Sequence, residues 1–257
     1  MMWVRLRFLA FVGLVLAPST ALMATGDPRL IDIGKLVMIL SPAVVGLALN
    51  LGTGDRKGER HWTWVPAAAA VSLAISGTAL AVAIAVGAAK FPGGVAPSQG
   101  VGVAMAASAV TSVLEELGWA GGGLALATAA LGRRWGVLVL GLVWAIWHLI
   151  PTFLRVGLFP DLEAGPPAMI AAFIVACLVY RELLTTLRER AGTWLAAAAA
   201  HAAPNILFAG LIAAGMSLGG PAPWTFFPAP GGLVFPALAL VAMLGLRARA
   251  RRTPLLA

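Results

Sequence analysis

Two adjacent carboxylates, Glu115 and Glu116, lie in the middle of a long apolar run of the sequence. A charged side chain at bilayer depth costs about 2.5 to 3.5 kcal/mol on insertion scales, so it is expected to be functional or paired. Two later apolar runs carry further polar groups at comparable depth, His148 in the first and His201 with Asn205 in the second. We therefore expect these three segments to contribute to one shared site.

The spacing of these residues allows their side chains to share helix faces and to act together at one site. Residues four apart share one face of a helix, and this spacing separates Trp144 from His148 and His201 from Asn205. A carboxylate and a histidine that converge on water form a general base, whereas a second histidine and an amide can donate hydrogen bonds to an oxyanion. This combination suits hydrolysis of a peptide bond without a covalent intermediate. The rings of Trp144 and Trp147 are expected to pack rather than to react.

A zinc site is the alternative, because two histidines and a glutamate are enough ligands. However, neither His148 nor His201 is followed by glutamate, so the His-Glu-x-x-His pattern of many zinc proteases is absent from the sequence. The single cysteine, Cys177, has no partner for a disulfide or a cysteine metal site. We therefore expect no cofactor, with zinc as the alternative.

The composition predicts the environment of the chain. Of its 257 residues, 60% are hydrophobic and only 11% are charged, which leaves too few polar residues to cover a soluble globule. The net charge of +8 comes from short basic clusters between apolar runs, a pattern that orients a chain in a bilayer. The expected partner is thus the lipid bilayer, and nucleic acid is excluded.

Runs of about 20 apolar residues predict an all-α, polytopic membrane helical bundle with about eight transmembrane helices. The spans are expected at residues 3–23, 31–51, 64–89, 101–131, 135–156, 168–187, 193–216 and 233–246. No connection between them is long enough for a soluble domain, so residues 1–257 form a single membrane domain. Its motif-bearing core is expected at about residues 101–216.

The basic residues predict the orientation of the bundle. With the N-terminus inside, only Arg29, Lys35, Lys90 and Arg155 lie outside, which leaves 14 of the 18 Lys and Arg residues on the inner side. The first apolar run continues to Met23, so we expect it to be a retained span rather than a signal peptide. We expect an integral protein of a bacterial cytoplasmic membrane, with both termini in the cytoplasm.

Two features of the motif-bearing core predict local packing. Gly118 and Gly122 form a small-xxx-small pair, which allows another helix to approach closely. Pro204 lies between His201 and Asn205 and removes a helical hydrogen bond, so the freed backbone is expected to line a cavity or pack against protein.

The polar groups together resemble the motifs of the CPBP intramembrane proteases, which include the CAAX prenyl endopeptidases and the bacterial Abi-type proteins. The motifs of that family run Glu-Glu-x-x-x-Arg, then aromatic-x-x-x-His, then His-x-x-x-Asn. Here they are matched by Glu115-Glu116 with Ala120, by Trp144 with His148, and by His201 with Asn205, so that the resemblance covers about residues 113–208.

The resemblance implies a role for each polar residue. Glu115 and His148 would activate the water, His201 and Asn205 would form the oxyanion hole, and Glu116 would support the site. The activity would be that of an intramembrane glutamic endopeptidase acting on a peptide or a membrane-protein substrate.

One position departs from the family pattern, because Ala120 stands where the family has arginine. The change predicts that Glu116 is either protonated or paired with a residue from another helix. It also leaves open a non-catalytic membrane binding or immunity-type relative of the same fold. A proton-coupled transporter is a further alternative, although the sequence shows no internal repeat of the kind many transporters have.

Overall fold

The structure is a computed structural model that describes residues 2–49, 60–91, 99–218, 225 and 232–252. Arg56 and Lys57, which belong to the predicted inner charges, lie outside these residues. The helices are α1 (Met2–Met23), α2 (Pro28–Leu49), α3 (Trp64–Ala85), α4 (Gln99–Glu116), α5 (Leu124–Phe153), α6 (Pro160–Ala164), α7 (Pro167–Ala191), α8 (Trp194–Ala213) and α9 (Val234–Arg252). A π-helical segment, Leu117–Gly123, joins α4 to α5. Two short strands, β1 (Ala89–Lys90) and β2 (Ser217–Leu218), pair antiparallel.

The predicted all-α membrane bundle is confirmed. By length and composition, six helical segments in the described part of the chain are able to cross a membrane, and one of them is the 54-residue stretch Gly100–Phe153. A straight helix of that length would extend about 80 Å, far more than the ~30 Å of a bilayer core. Gly132 interrupts it with φ 78° and ψ 161°, and so separates the fourth predicted span from the fifth. The shorter apolar segment Val234–Ala248 corresponds to the last predicted span.

The π-helical segment packs closely on α2 through glycines. A Cβ atom added to Gly118 would lie 2.1 Å from the carbonyl carbon of Pro42, and one added to Gly122 would lie 2.5 Å from the Cα of Gly46. Such distances leave room for hydrogen only. The close approach that the Gly118 and Gly122 pair predicts is therefore confirmed, and its partner is α2.

Helix α8 lies between α4, α3 and α7 in the bundle. Its first turns are rich in alanine, and Ala196, Ala197 and Ala200 are fully buried. Small side chains let neighbouring backbones approach each other, which is the usual way that helices associate without a hydrophobic driving force. This packing brings the middle of α8 next to the end of α4, where the two glutamates lie.

A cluster of charges ties together the ends of three helices. Arg133, just after the break at Gly132, binds Glu189 at 2.9 Å and Glu182 at 3.0 Å, and Arg247 of α9 also contacts Glu182. In contrast, Arg181, which is one of the 14 basic residues predicted at the inner segments and span ends, does not lie at the surface of the bundle. Its side chain is 1% exposed because it lies inside the bundle, where Glu116 binds it.

Candidate active site

The structure brings the four predicted site residues together around one cavity. Glu115 of α4, His148 of α5, and His201 and Asn205 of α8 all line a cavity of about 350 Å³. Most of the remaining wall is apolar and includes Met38 of α2 together with aromatic and aliphatic side chains from α7 and the 158–162 segment. A few polar groups in a largely apolar cavity are typical of a binding or catalytic site.

Glu115 is held at the cavity wall by a tryptophan. The indole Nε1 of Trp144 donates a hydrogen bond to Glu115 Oε2 at 3.1 Å. Glu115 is 8% exposed, so the bond lies in a region from which bulk water is largely excluded. Trp144 therefore orients Glu115 as well as packing, because an indole N–H in an apolar interior needs an acceptor and finds it in this carboxylate.

His148 is fixed by the backbone of its own helix. Its Nδ1 lies 2.9 Å from the carbonyl oxygen of Trp144, and since a carbonyl can only accept, Nδ1 carries the hydrogen. In the neutral ring, Nε2 is then the acceptor. Edge-to-face contacts with Trp144, Trp147 and Phe173 hold the imidazole at centroid distances of 5.1, 4.6 and 5.5 Å.

Glu116 is the centre of a buried ion-pair network. Arg181 of α7 donates to both of its oxygens, from Nη1 at 2.7 Å and from Nη2 at 3.0 Å. His201 Nδ1 lies 3.0 Å from Glu116 Oε1. Of the two alternatives that Ala120 left open, the structure shows the second, in which a residue from another helix pairs with Glu116.

Sequence reasoning missed Arg181 as a site residue, although a signal for it was present. The residue lies inside the predicted span 168–187, and an ionisable residue within a membrane span is a functional candidate with an expected partner. The guanidinium carbon also lies 4.3 Å from the ring centroid of Trp144, a cation–π distance. Arg181 thus contacts the residues that hold both Glu115 and His201.

The backbone freed by Pro204 is satisfied inside the protein, as predicted. Proline lacks an amide hydrogen, so the carbonyl of Ala200 has no helical donor four residues later. The hydroxyl of Tyr180 donates to this carbonyl at 2.7 Å. Two consecutive residues of α7 therefore support the turn of α8 that carries His201, Tyr180 directly and Arg181 through Glu116.

Asn205 is oriented by a serine that the sequence analysis also missed. Its Nδ2 donates to Ser112 Oγ at 3.0 Å, and Ser112 Oγ donates in turn to the carbonyl of Ser108 at 2.8 Å. Because the serine hydroxyl uses its hydrogen on this carbonyl, it can only accept from the amide. The amide of Asn205 therefore keeps its second N–H available.

The zinc alternative requires several of these side chains to converge on one point. In the described ranges of the chain, no group of three or more His, Cys, Asp or Glu side chains is placed to hold a metal ion. The donor set at the cavity therefore does not fit zinc. The expectation that the protein works without a cofactor stays a prediction.

Comparison with known proteins agrees with the resemblance that the motifs suggest. Residues 97–207 match the family model described as Rce1-like, type II CAAX prenyl endopeptidase. A search among curated proteins found no match to the chain. The matched segment contains Glu115, His148, His201 and Asn205, and with them all three motifs. The chain is therefore an integral membrane protein whose motif-bearing segment is similar to the Rce1-like CAAX prenyl endopeptidases.

Proposed function

We propose that this protein hydrolyses peptide bonds within the membrane by means of a water molecule activated by Glu115 and His148. The water attacks the carbonyl carbon of the substrate, and its proton passes to the base and then to the leaving amine. His201 and Asn205 donate hydrogen bonds to the oxyanion that forms. Glu116 supports the site through its contact with His201.

The observation that carries this proposal is the shared cavity. Glu115, His148, His201 and Asn205 come from three helices and line one space of about 350 Å³, large enough for a water molecule and part of a peptide. The bond from Trp144 engages Oε2 of Glu115, and a carboxylate has lone pairs on both oxygens, so Glu115 retains the capacity to accept a proton. The Nε2 of a neutral His148 has the same capacity.

The two oxyanion donors differ in their dependence on protonation. Asn205 has a second amide hydrogen in every state, because only one is used on Ser112. His201 donates Nδ1–H to Glu116, so its Nε2 donates only when the ring is an imidazolium. Asn205 is therefore the constant donor of the pair.

The proposed substrate is a peptide or a membrane protein that reaches the cavity from the bilayer. We place the protein in a bacterial cytoplasmic membrane with both termini in the cytoplasm. Ala120 was the main reason to consider a non-catalytic relative. Since Arg181 supplies a guanidinium to Glu116 from another helix, the lack of arginine at position 120 does not argue against turnover.

The test is cleavage of a membrane-proximal peptide library by the detergent-solubilised protein. Glu115→Gln keeps the size of the side chain but removes the base, so we expect the rate to fall on the order of 10²-fold or more. Asp32→Asn is the matched control, because the same change is made to a carboxylate that is 78% exposed. A Glu115→Gln protein that cleaves as fast as the parent would show that the proposed mechanism is wrong.

A further inference from the structure

We infer that Arg181 is a positioning residue that holds both halves of the site, the oxyanion side through Glu116 and the water-activating side through Trp144. It does so from α7, and thereby replaces the arginine that the motif would place at position 120. The catalytic consequence of this inference rests on the proposed function, whereas the structural contacts do not.

The first set of contacts made by Arg181 is on the oxyanion side of the site. Two parallel bonds of 2.7 and 3.0 Å join its Nη atoms to the two oxygens of Glu116. A bidentate pair of this kind fixes the plane of the carboxylate as well as its charge. Because Glu116 Oε1 also accepts the Nδ1 hydrogen of His201 at 3.0 Å, the orientation of the imidazole follows from the orientation of the guanidinium.

The second contact of Arg181 is on the water-activating side of the site. The guanidinium carbon lies 4.3 Å from the ring centroid of Trp144. Trp144 donates from Nε1 to Glu115 at 3.1 Å, and its carbonyl accepts from His148 at 2.9 Å. One tryptophan therefore binds both members of the proposed general base. Removing the guanidinium would leave a gap beside a ring that two reactive side chains depend on.

Burial makes Arg181 a rigid support rather than a mobile counter-ion. Arg181 and Glu116 have 1% and 0% of their side chains exposed, so neither is screened by water. The neighbouring Tyr180 bonds the carbonyl of Ala200 on α8, which holds α7 and α8 in register at the same level. Ala120, at the position where the motif has arginine, is buried in the π-helical segment at 1% exposure.

The experiment compares Arg181→Met with the double variant Glu116→Gln/Arg181→Met and with the control Arg190→Met. The control makes the same change on the same helix, where Arg190 contacts the carbonyl of Leu246 and the ring of Trp64. Arg181→Met should lose thermal stability, because it leaves the buried carboxylate of Glu116 without its guanidinium partner, and the double variant should recover that stability. The turnover number should fall on the order of 10²-fold in both, with KM little changed, since a misplaced catalytic group costs about that much. Arg190→Met should keep its turnover.

The stability and activity results together decide the inference. If the double variant recovers turnover as well as stability, Arg181 only neutralises Glu116 and the positioning role is wrong. If Arg181→Met cleaves at the parent rate, the inference also fails. Should Arg181→Met not fold, Arg181→Lys retains one charge without the two-pronged bond. We expect it to fold and to lose on the order of tenfold in turnover, and full activity of this variant would overturn the inference.

A second readout does not depend on cleavage. The chain has 3 histidines, so the imidazole nitrogens can be followed individually by nitrogen NMR after His61→Gln removes one ring. Arg181→Met should shift the signals of both His201 and His148, whereas Arg190→Met should shift neither. A shift confined to His201 would refute the claim that Arg181 positions His148 through Trp144. Because this result is obtained even if the parent cleaves nothing, failure of the proposed function and failure of the inference are distinguishable.

Discussion

At the scale of residues, the two adjacent glutamates have different surroundings. Glu115 faces the cavity and accepts a hydrogen bond from the indole of Trp144. Glu116 points away from it into a fully buried ion pair with Arg181, and it accepts from His201 as well. Neighbours on a helix point about 100° apart, which allows one of them to react and the other to support.

We expect the same substitution at the two glutamates to affect different properties, turnover at Glu115 and thermal stability at Glu116. Glu115→Gln should lower turnover with little change in thermal stability, because the amide can still accept from Trp144. Glu116→Gln leaves Arg181 as a buried, unpaired charge, which costs about 3 to 5 kcal/mol when one partner of a buried pair is removed. Thermal unfolding in detergent and peptide cleavage measure the two effects. Equal stability losses in both variants would contradict the separate roles.

The hydrogen bond from Asn205 to Ser112 leads to a second prediction. Asn205→Ala removes an oxyanion donor and should lower turnover by roughly 10² to 10³. Ser112→Ala leaves the amide in place but takes away its acceptor, so we expect a smaller loss. The matched control is Ser76→Ala, since Ser76 is also buried and also bonds the carbonyl four residues before it. If Ser112→Ala and Ser76→Ala have the same turnover, Ser112 does not orient the amide.

At the scale of elements, the site depends on how the π-helical segment sits on α2. This segment begins directly after Glu116, and π-helical turns often occur at functional sites. Its glycines Gly118 and Gly122 meet the backbone of α2 at Pro42 and Gly46. The contact is between backbones, so no side chain can yield to relieve a clash. The position of both glutamates therefore depends on this contact.

Substitution of the glycines tests this dependence. Gly118→Ala would place a methyl group 2.1 Å from a backbone atom of Pro42, so α2 or the segment must move. We expect a loss of thermal stability together with lower turnover. Gly121→Ala is the control from the same segment, because the nearest atom to its added methyl group would be 3.8 Å away. A Gly118→Ala protein as stable and active as the control would show that the contact is not required.

The sequence predicted the elements better than their partners. The helices and the break between the fourth and fifth spans followed from the lengths of the apolar runs, because a bilayer has a fixed thickness. The glycine pair indicated a close approach but not that α2 makes it. Likewise, the polar residues indicated the candidate site, whereas the partners of Arg181 and Ser112 became visible only when helices distant in sequence were brought together.

At the scale of the whole molecule, the charged cluster relates three distant points of the chain. Arg133 follows the break at Gly132, Glu189 lies near the end of α7, and Arg247 lies in α9. Their contacts with one another, directly or through Glu182, place these three points at one end of the bundle. They were also predicted to lie on one side of the membrane.

This arrangement sharpens the prediction of orientation. Reporter fusions at the C-terminus and insertions at Gly132 should report the same side, and the excess of basic residues predicts that it is the cytoplasm. An insertion near Gly165, between α6 and α7, should report the opposite side. If reporters at Gly132 and at the C-terminus lie on different sides, the two points are not at one end of the bundle. If both lie outside, the predicted orientation is wrong.

The buried ion pair has a consequence for biosynthesis. Glu116 and Arg181 are 65 residues apart, so the segment with both glutamates is synthesised and presented to the membrane before its partner exists. Until α7 follows, the carboxylate of Glu116 must enter the bilayer without its guanidinium partner, or wait beside the insertion machinery. Chains truncated after residue 164 should therefore integrate the 99–131 segment less completely than chains truncated after residue 213, as measured by glycosylation of an engineered site in residues 92–98. In the longer chain, Arg181→Met should reproduce the defect and Arg190→Met should not. Equal integration in all four chains would show that the glutamates enter the membrane without help from their later partner.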